Sequence, residues 1–125
     1  MEISLDVPDT KVYVKSYKTS EYIELNDKKH TQSLIISPSK VLADNNLPKD
    51  FNDLSSKHLE TLFSFEADIY LLGTGKNHQT PQSEFLQIAY KNQKPLDFMN
   101  SHAACRTFNI LASEYRKIVA LICLD

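Results

Sequence analysis

Glycine is the first scarcity. The 125-residue chain has two, Gly73 and Gly75, and both fall in a single tripeptide. Cysteine is equally sparse: Cys105 and Cys123 form no C-x-x-C pair, and His30, His58, His78 and His102 form neither H-x-x-x-H nor H-E-x-x-H. Those spacings give a zinc site no support, and no metal ligand is expected. Long apolar runs are missing too. The longest, Ile118 to Leu124, is seven residues, against ~20 for a membrane-spanning helix. Nor is there an excess of one charge: 14 basic and 16 acidic side chains leave a net −2. A dedicated nucleic-acid or anionic-membrane binder would carry a basic surplus. The opening Met1-Glu2-Ile3-Ser4-Leu5-Asp6 is acidic where a targeting peptide would be basic. The expectation is one soluble, cytoplasmic domain over residues 1–125, with ordinary globular fractions of 42% apolar and 24% charged residues.

What is present divides into two halves. In the first, Lys11–Tyr17, Tyr22–Leu25 and Gln32–Ser37 are β-branched or aromatic and read as strands. The polar Asn26-Asp27-Lys28-Lys29 between the last two reads as the turn of an antiparallel hairpin. Pro38 closes the third strand, residues 39–53 read as loop, and a short helix is expected over Ser55–Phe63, capped by Asp53 or Ser55. The second half alternates strand and helix. Asp68–Leu72 is a buried-strand run that breaks at Gly73-Thr74-Gly75, and Thr80-Pro81 reads as the start of a helix to Lys91. Pro95–Met99 is a short strand. Ser101 then caps a helix with Ala104, Phe108, Leu111 and Ala112 on one stripe. Lys117–Leu124, apolar on both faces, belongs in the middle of a sheet. The fold class expected is α/β: a three-layer single domain, its central mixed sheet flanked by helices, with an N-terminal β-hairpin layer.

If the strands at 69–72 and 95–99 are parallel, both deliver the chain to helix N-termini at one edge of the sheet. Ligands of open α/β sheets bind there, and unpaired helix N–H groups favour anions. The candidate crevice is Gly73, Thr74, Gly75, Lys76, Asn100, Ser101, Cys105 and Arg106. Gly73-Thr74-Gly75 lacks the third glycine of a dinucleotide fingerprint and the spacing of a P-loop, and the glycines read first as permitting a tight turn, with an anion site as the alternative. Cys105 has His102 one helical turn earlier, a pairing that is suggestive of nucleophilic chemistry but unspecific; a buried reduced thiol is the other reading. Asp97 stands mid-strand without a second carboxylate. Arg106 and Arg116 are its candidate partners; Glu114 is the other candidate carboxylate for Arg106. No catalytic residue is named and no cofactor is expected.

Ile69-Tyr70-Leu71-Leu72-Gly73-Thr74-Gly75, then Ala104-Cys105-Arg106-Thr107-Phe108-Asn109-Ile110-Leu111 and Glu114-Tyr115-Arg116, resemble a small domain-of-unknown-function family that includes the mitochondrial complex I (NADH:ubiquinone oxidoreductase) assembly factor 3. Ser33–Pro38 resembles that family's first-half strand, and Met99 also fits its pattern. Asp97 stands where the family has glutamate. Tyr115 stands where it has glycine, which leaves open whether the chain takes a left-handed turn there. The resemblance implies the three-layer fold, no established enzyme activity, and a role exercised through protein partners. Two functions follow as expectations. One is a non-enzymatic interaction or assembly protein, its partner another protein or a second copy of the chain. The other is a small-anion or nucleotide-binding module, or an enzyme, using the crevice.

Overall fold

The computed structural model describes residues 12–125. Its elements run β1 (Val14–Lys18), β2 (Tyr22–Leu25), β3 (Lys28–His30), β4 (Leu34–Ser37), β5 (Lys40–Leu42), α1 (Ser56–Phe63), β6 (Ile69–Gly73), α2 (Ser83–Lys91), β7 (Leu96–Met99), α3 (Ser101–Ser113) and β8 (Ile118–Ile122). Five strands form a mixed sheet in the order β5-β4-β8-β6-β7, and β1-β2-β3 form a separate antiparallel meander. Within the larger sheet β6 runs parallel to β7 and β8, whereas β4 is antiparallel to β8 and β5.

Alternation along the strands builds two cores. Leu71, Ile118, Ala120 and Ile122 face the layer formed by α3 and the small sheet, where Phe108, Ile23 and Leu25 meet them. Tyr70, Leu72, Val119 and Leu121 face the opposite layer, which holds α1 with Leu59 and Leu62 and α2 with Phe85. All five residues of β8 are buried, as a strand apolar on both faces requires. The expected three-layer α/β architecture is present, and β6 and β7 share one sheet.

Several boundaries differ from the expectation. Gln32–Ser37 does not pair with Tyr22–Leu25; β2 turns at Asn26, whose φ is 51°, and pairs with Lys28–His30 instead. β3 is a polar edge strand and shows no apolar run, so sequence pattern passes it over. Leu34, Ile35 and Ile36 are buried on both faces, and that places β4 in the large sheet. The stretch at 39–53 contains β5 and a short 3-10 turn at Phe51–Asp53. α2 begins at Ser83, beyond Thr80-Pro81, and Gln82 stands at its cap position. Residue 11, the start of the first expected strand, lies outside the described residues.

Ser55 does precede α1, as expected. His58 Nδ1 accepts from the Ser55 N–H at 2.9 Å, and His58 Nε2 lies 2.7 Å from the Asn46 carbonyl. With Nδ1 an acceptor, Nε2 carries the proton and donates to that carbonyl.

Candidate functional site at the ends of the parallel strands

Gly73 ends β6 directly against the first turn of α3. A Cβ there would stand 2.9 Å from Ser101 Oγ and 3.2 Å from Ala104 Cβ, so the bare backbone is what lets the helix sit this close. Gly75 has φ 94°, and a Cβ there would collide with the Asp125 carbonyl. Its glycine is required twice, by conformation and by space.

Ser101 lies between them, fully buried. Its hydroxyl accepts from the Gly75 N–H at 2.8 Å and donates to the Cys123 carbonyl at 2.7 Å. Its own N–H donates to the Gly75 carbonyl at 2.8 Å. One side chain therefore ties the βα loop, the start of α3 and the segment after β8 into a single knot. Thr74, also fully buried, closes the loop on itself. Its hydroxyl donates to the Asn77 carbonyl at 2.6 Å and accepts from the Gln79 N–H at 3.2 Å. From the small sheet, the Tyr17 hydroxyl donates to the Leu124 carbonyl at 3.0 Å. Burial pushes the Tyr17 phenol up, and hydrogen bonds with Thr19 and Ser101 act in the opposite direction.

The cap of α3 is Asn100, one residue before the expected Ser101, and its Oδ1 accepts from the Ala103 N–H at 2.8 Å. The N–H groups of Ser101 and Ala103, which an anion at this helix start would use, are thus bonded within the protein. Cys105 and Cys123 are buried, and burial pushes each thiol up to about 12 from an ordinary 9.0. Such thiols stay protonated at neutral pH, and His102 is exposed while Cys105 is not.

Six of the eight candidate residues, Gly73, Thr74, Gly75, Asn100, Ser101 and Cys105, are gathered at these strand ends. Lys76 and Arg106 are exposed. Arg106 makes no ion pair among the described residues, with Asp97, with Glu114 or with any other carboxylate. Among the described residues no group of His, Cys, Asp and Glu could hold a metal ion.

Asn109 stands in the sequence motif, but its partner on β1 could not be read from it. Its side-chain amide donates to the Val14 carbonyl at 2.8 Å while its oxygen accepts from the Val14 N–H, also at 2.8 Å, so α3 grips β1 as a neighbouring strand would. An asparagine mid-helix, where its side chain competes with the backbone, was the available signal.

These features define a small three-layer α/β domain whose glycine loop is bound to its own helix start. The chain belongs to the DUF498/DUF598 family of proteins of unknown function, whose model matches residues 14–123. It is 32% identical over 111 residues to the "13 kDa major membrane protein" of Francisella tularensis subsp. holarctica, covering 89% of each chain. A crystal structure of a Bordetella parapertussis protein is similar at a TM-score of 0.81 and 23% identity, covering 91% of this chain and 96% of that one. A Bordetella pertussis solution structure described as a Mth938-like domain gives 0.78 at 20% identity, covering 100% of this chain and 93% of that one. The two structures establish likeness of fold. Among the described residues no helix is long and apolar enough to cross a membrane.

Proposed function

We propose that this chain is a non-enzymatic interaction or assembly domain that docks a protein partner on the outward face of α3. The supporting observation is how Ala104–Asn109 is employed. Ala104 packs at Gly73, Cys105 and Phe108 are buried, the Thr107 hydroxyl donates to Met99 Sδ at 3.4 Å, and Asn109 grips β1. Among the described residues Arg106 has neither hydrogen bond nor ion pair. One turn further on, Ile110 is 57% exposed. A free guanidinium beside an uncovered aliphatic side chain suits a partner surface that offers a carboxylate next to an apolar patch.

The resemblance to the complex I assembly factor supports the same class of role, a domain acting on a larger assembly. A domain that docks on a membrane-embedded complex fractionates with membranes without a spanning helix, which accommodates the name of the Francisella relative. The second reading, an anion or nucleotide module at the strand ends, is favoured by Lys76 and Arg106, two exposed cations with no ion-pair partner among the described residues.

A photo-crosslinker at Ile110, introduced in cells, separates the two. The docking reading expects one dominant adduct, lost with Arg106→Glu while the thermal melt is unchanged. The anion reading expects no dominant adduct. It expects instead a melt raised by phosphate or nucleotide, by ~2.7 kcal/mol at a hundredfold excess over Kd, and this rise disappears with Arg106→Ala.

A further inference from the structure

At the end of the sheet opposite the glycines, three connections converge: the β4–β5 turn, the α1–β6 link and the α3–β8 link. Two adjoining cavities open there, of about 430 and 380 Å³, and they share Ser37, Ser39 and Glu66. Each is within the size range of small-ligand sites. The first adds Lys40 and Phe65 to the shared residues; the second adds Tyr115, Arg116 and Lys117.

Among the described residues, three cations against one carboxylate leave this cleft with two net positive charges, in a chain whose total is −2. None of the three cations has an ion pair among the described residues. The hydroxyls are suited to the same ligand. Ser37 Oγ accepts from the Lys40 N–H at 3.0 Å, so its proton remains to be donated outward. Ser39 Oγ, on the exposed turn, has no hydrogen bond among the described residues. Ser64 Oγ, by contrast, already donates to the Thr61 carbonyl. Tyr115, 78% exposed, and the half-buried Phe65 supply aromatic surface beside the cations.

We infer that this cleft is a binding site for a small phosphate monoester carrying an apolar or aromatic group. A monoester bears close to two negative charges at neutral pH, which matches the net charge of the cleft. Its three terminal oxygens accept several hydrogen bonds at once, and Arg116 can engage two of them side by side. A carboxylate carries half the charge and fewer acceptor sites. The aryl or alkyl body lies on Tyr115 and Phe65, so neither inorganic phosphate nor a neutral aromatic alcohol satisfies the whole cleft.

Phenyl phosphate is the probe, titrated at low salt and pH 7.5 while backbone amide resonances are followed. The expected result is saturable shifts confined to residues 37–40, 64–66 and 115–117, with inorganic phosphate weaker and phenol inert. Arg116→Ala and Lys117→Ala should each weaken binding about tenfold, and Glu66→Gln should tighten it about twofold to threefold by removing the opposing charge. These side chains are exposed, and the same spectra report whether each variant is folded. No saturable shift, an unchanged affinity in Arg116→Ala, or weakening by Glu66→Gln would each overturn the inference. Shifts centred on Lys76 and Ser101 would overturn it too, and would instead favour the anion reading of the opposite edge. The docking face of α3 is unaffected by any of these outcomes.

Discussion

Replacing Ser101 by alanine removes one oxygen atom and leaves everything else about the side chain in place. The loss of volume is small, so the cavity contribution is minor. The polar loss is large, because the hydroxyl both accepts from the Gly75 N–H and donates to the Cys123 carbonyl in a fully buried position. Leaving a buried donor or acceptor without a partner costs ~1–3 kcal/mol each. Two groups are stranded together, and the Ser101 N–H to Gly75 carbonyl bond survives the change. The expected destabilisation is therefore about 3 kcal/mol, a large share of the ~5–15 kcal/mol of a typical domain.

Urea melts followed by circular dichroism would measure it, with an unchanged slope showing that two-state unfolding is preserved. Amide exchange at Gly75 should accelerate in the variant as well, since that N–H loses its acceptor. The companion variant is Arg106→Ala, which removes an exposed side chain with no partner among the described residues and should shift stability by less than ~0.5 kcal/mol. A Ser101→Ala loss below about 1 kcal/mol would refute the reasoning. Water would then be replacing the hydroxyl, and the sheet end would be hydrated instead of closed by the protein's own groups.

Asn109→Ala should cost ~2–3 kcal/mol in the same melts, because both bonds of its grip on Val14 are lost, and exchange at the Val14 amide should rise more than exchange in β8. Tyr115→Gly should stabilise by ~0.5–1 kcal/mol: Tyr115 holds φ 61° at the end of α3 while 78% exposed, so relief of the left-handed strain outweighs the added freedom of glycine in the unfolded chain. Cys105 and Cys123, pushed up to about 12 by burial, should ignore a thiol reagent at pH 8 in the folded protein, with both reacting in urea. Because the folded thiols hold their protons longer than unfolded ones near 9.0, stability should be flat at neutral pH and fall between pH 9 and 12. Rising stability across that interval would contradict the buried placement.

The elements with strong apolar periodicity could be read in advance because burial wrote their pattern. β6, β8 and the stripe on α3 are determined by which faces meet the two cores. β3 and β5 carry no such mark. Lys28–His30 and Lys40–Leu42 are three residues each at sheet edges, where a strand needs only a neighbour's free backbone groups. The left-handed turn at Gln93 is equally silent, and the one at Tyr115 is raised only by the resemblance, whose family has glycine there. Gln93 and Tyr115 adopt φ 55° and 61° after α2 and α3 without a glycine to announce them. In both cases the two closing bonds found at helix ends are present: Gln93 N–H to Tyr90 carbonyl with Lys94 N–H to Ala89, and Tyr115 N–H to Ala112 with Arg116 N–H to Leu111. Those bonds hold a conformation that the residue type disfavours.

At the strand ends, residue types located the place better than they located the role. Two glycines followed by a helix start suggest anion-binding geometry because such loops leave backbone N–H groups pointing outward. Here the neighbouring sequence redirects two of them. Asn100 takes the Ala103 N–H, and the Gly75 carbonyl takes that of Ser101. The serine that could be mistaken for a ligand contact spends its hydroxyl on the chain after β8. Only the three-dimensional return of that chain supplies the acceptor, 22 residues away, so no local spacing could reveal it. Arg106 shows the converse. Its exposure and its lack of a carboxylate partner among the described residues separate it from the other five residues of Ala104–Asn109. A charged side chain that the fold does not use is free to be used by something else, and its place beside Ile110 on the uncovered face of α3 is the reason docking is tested there first.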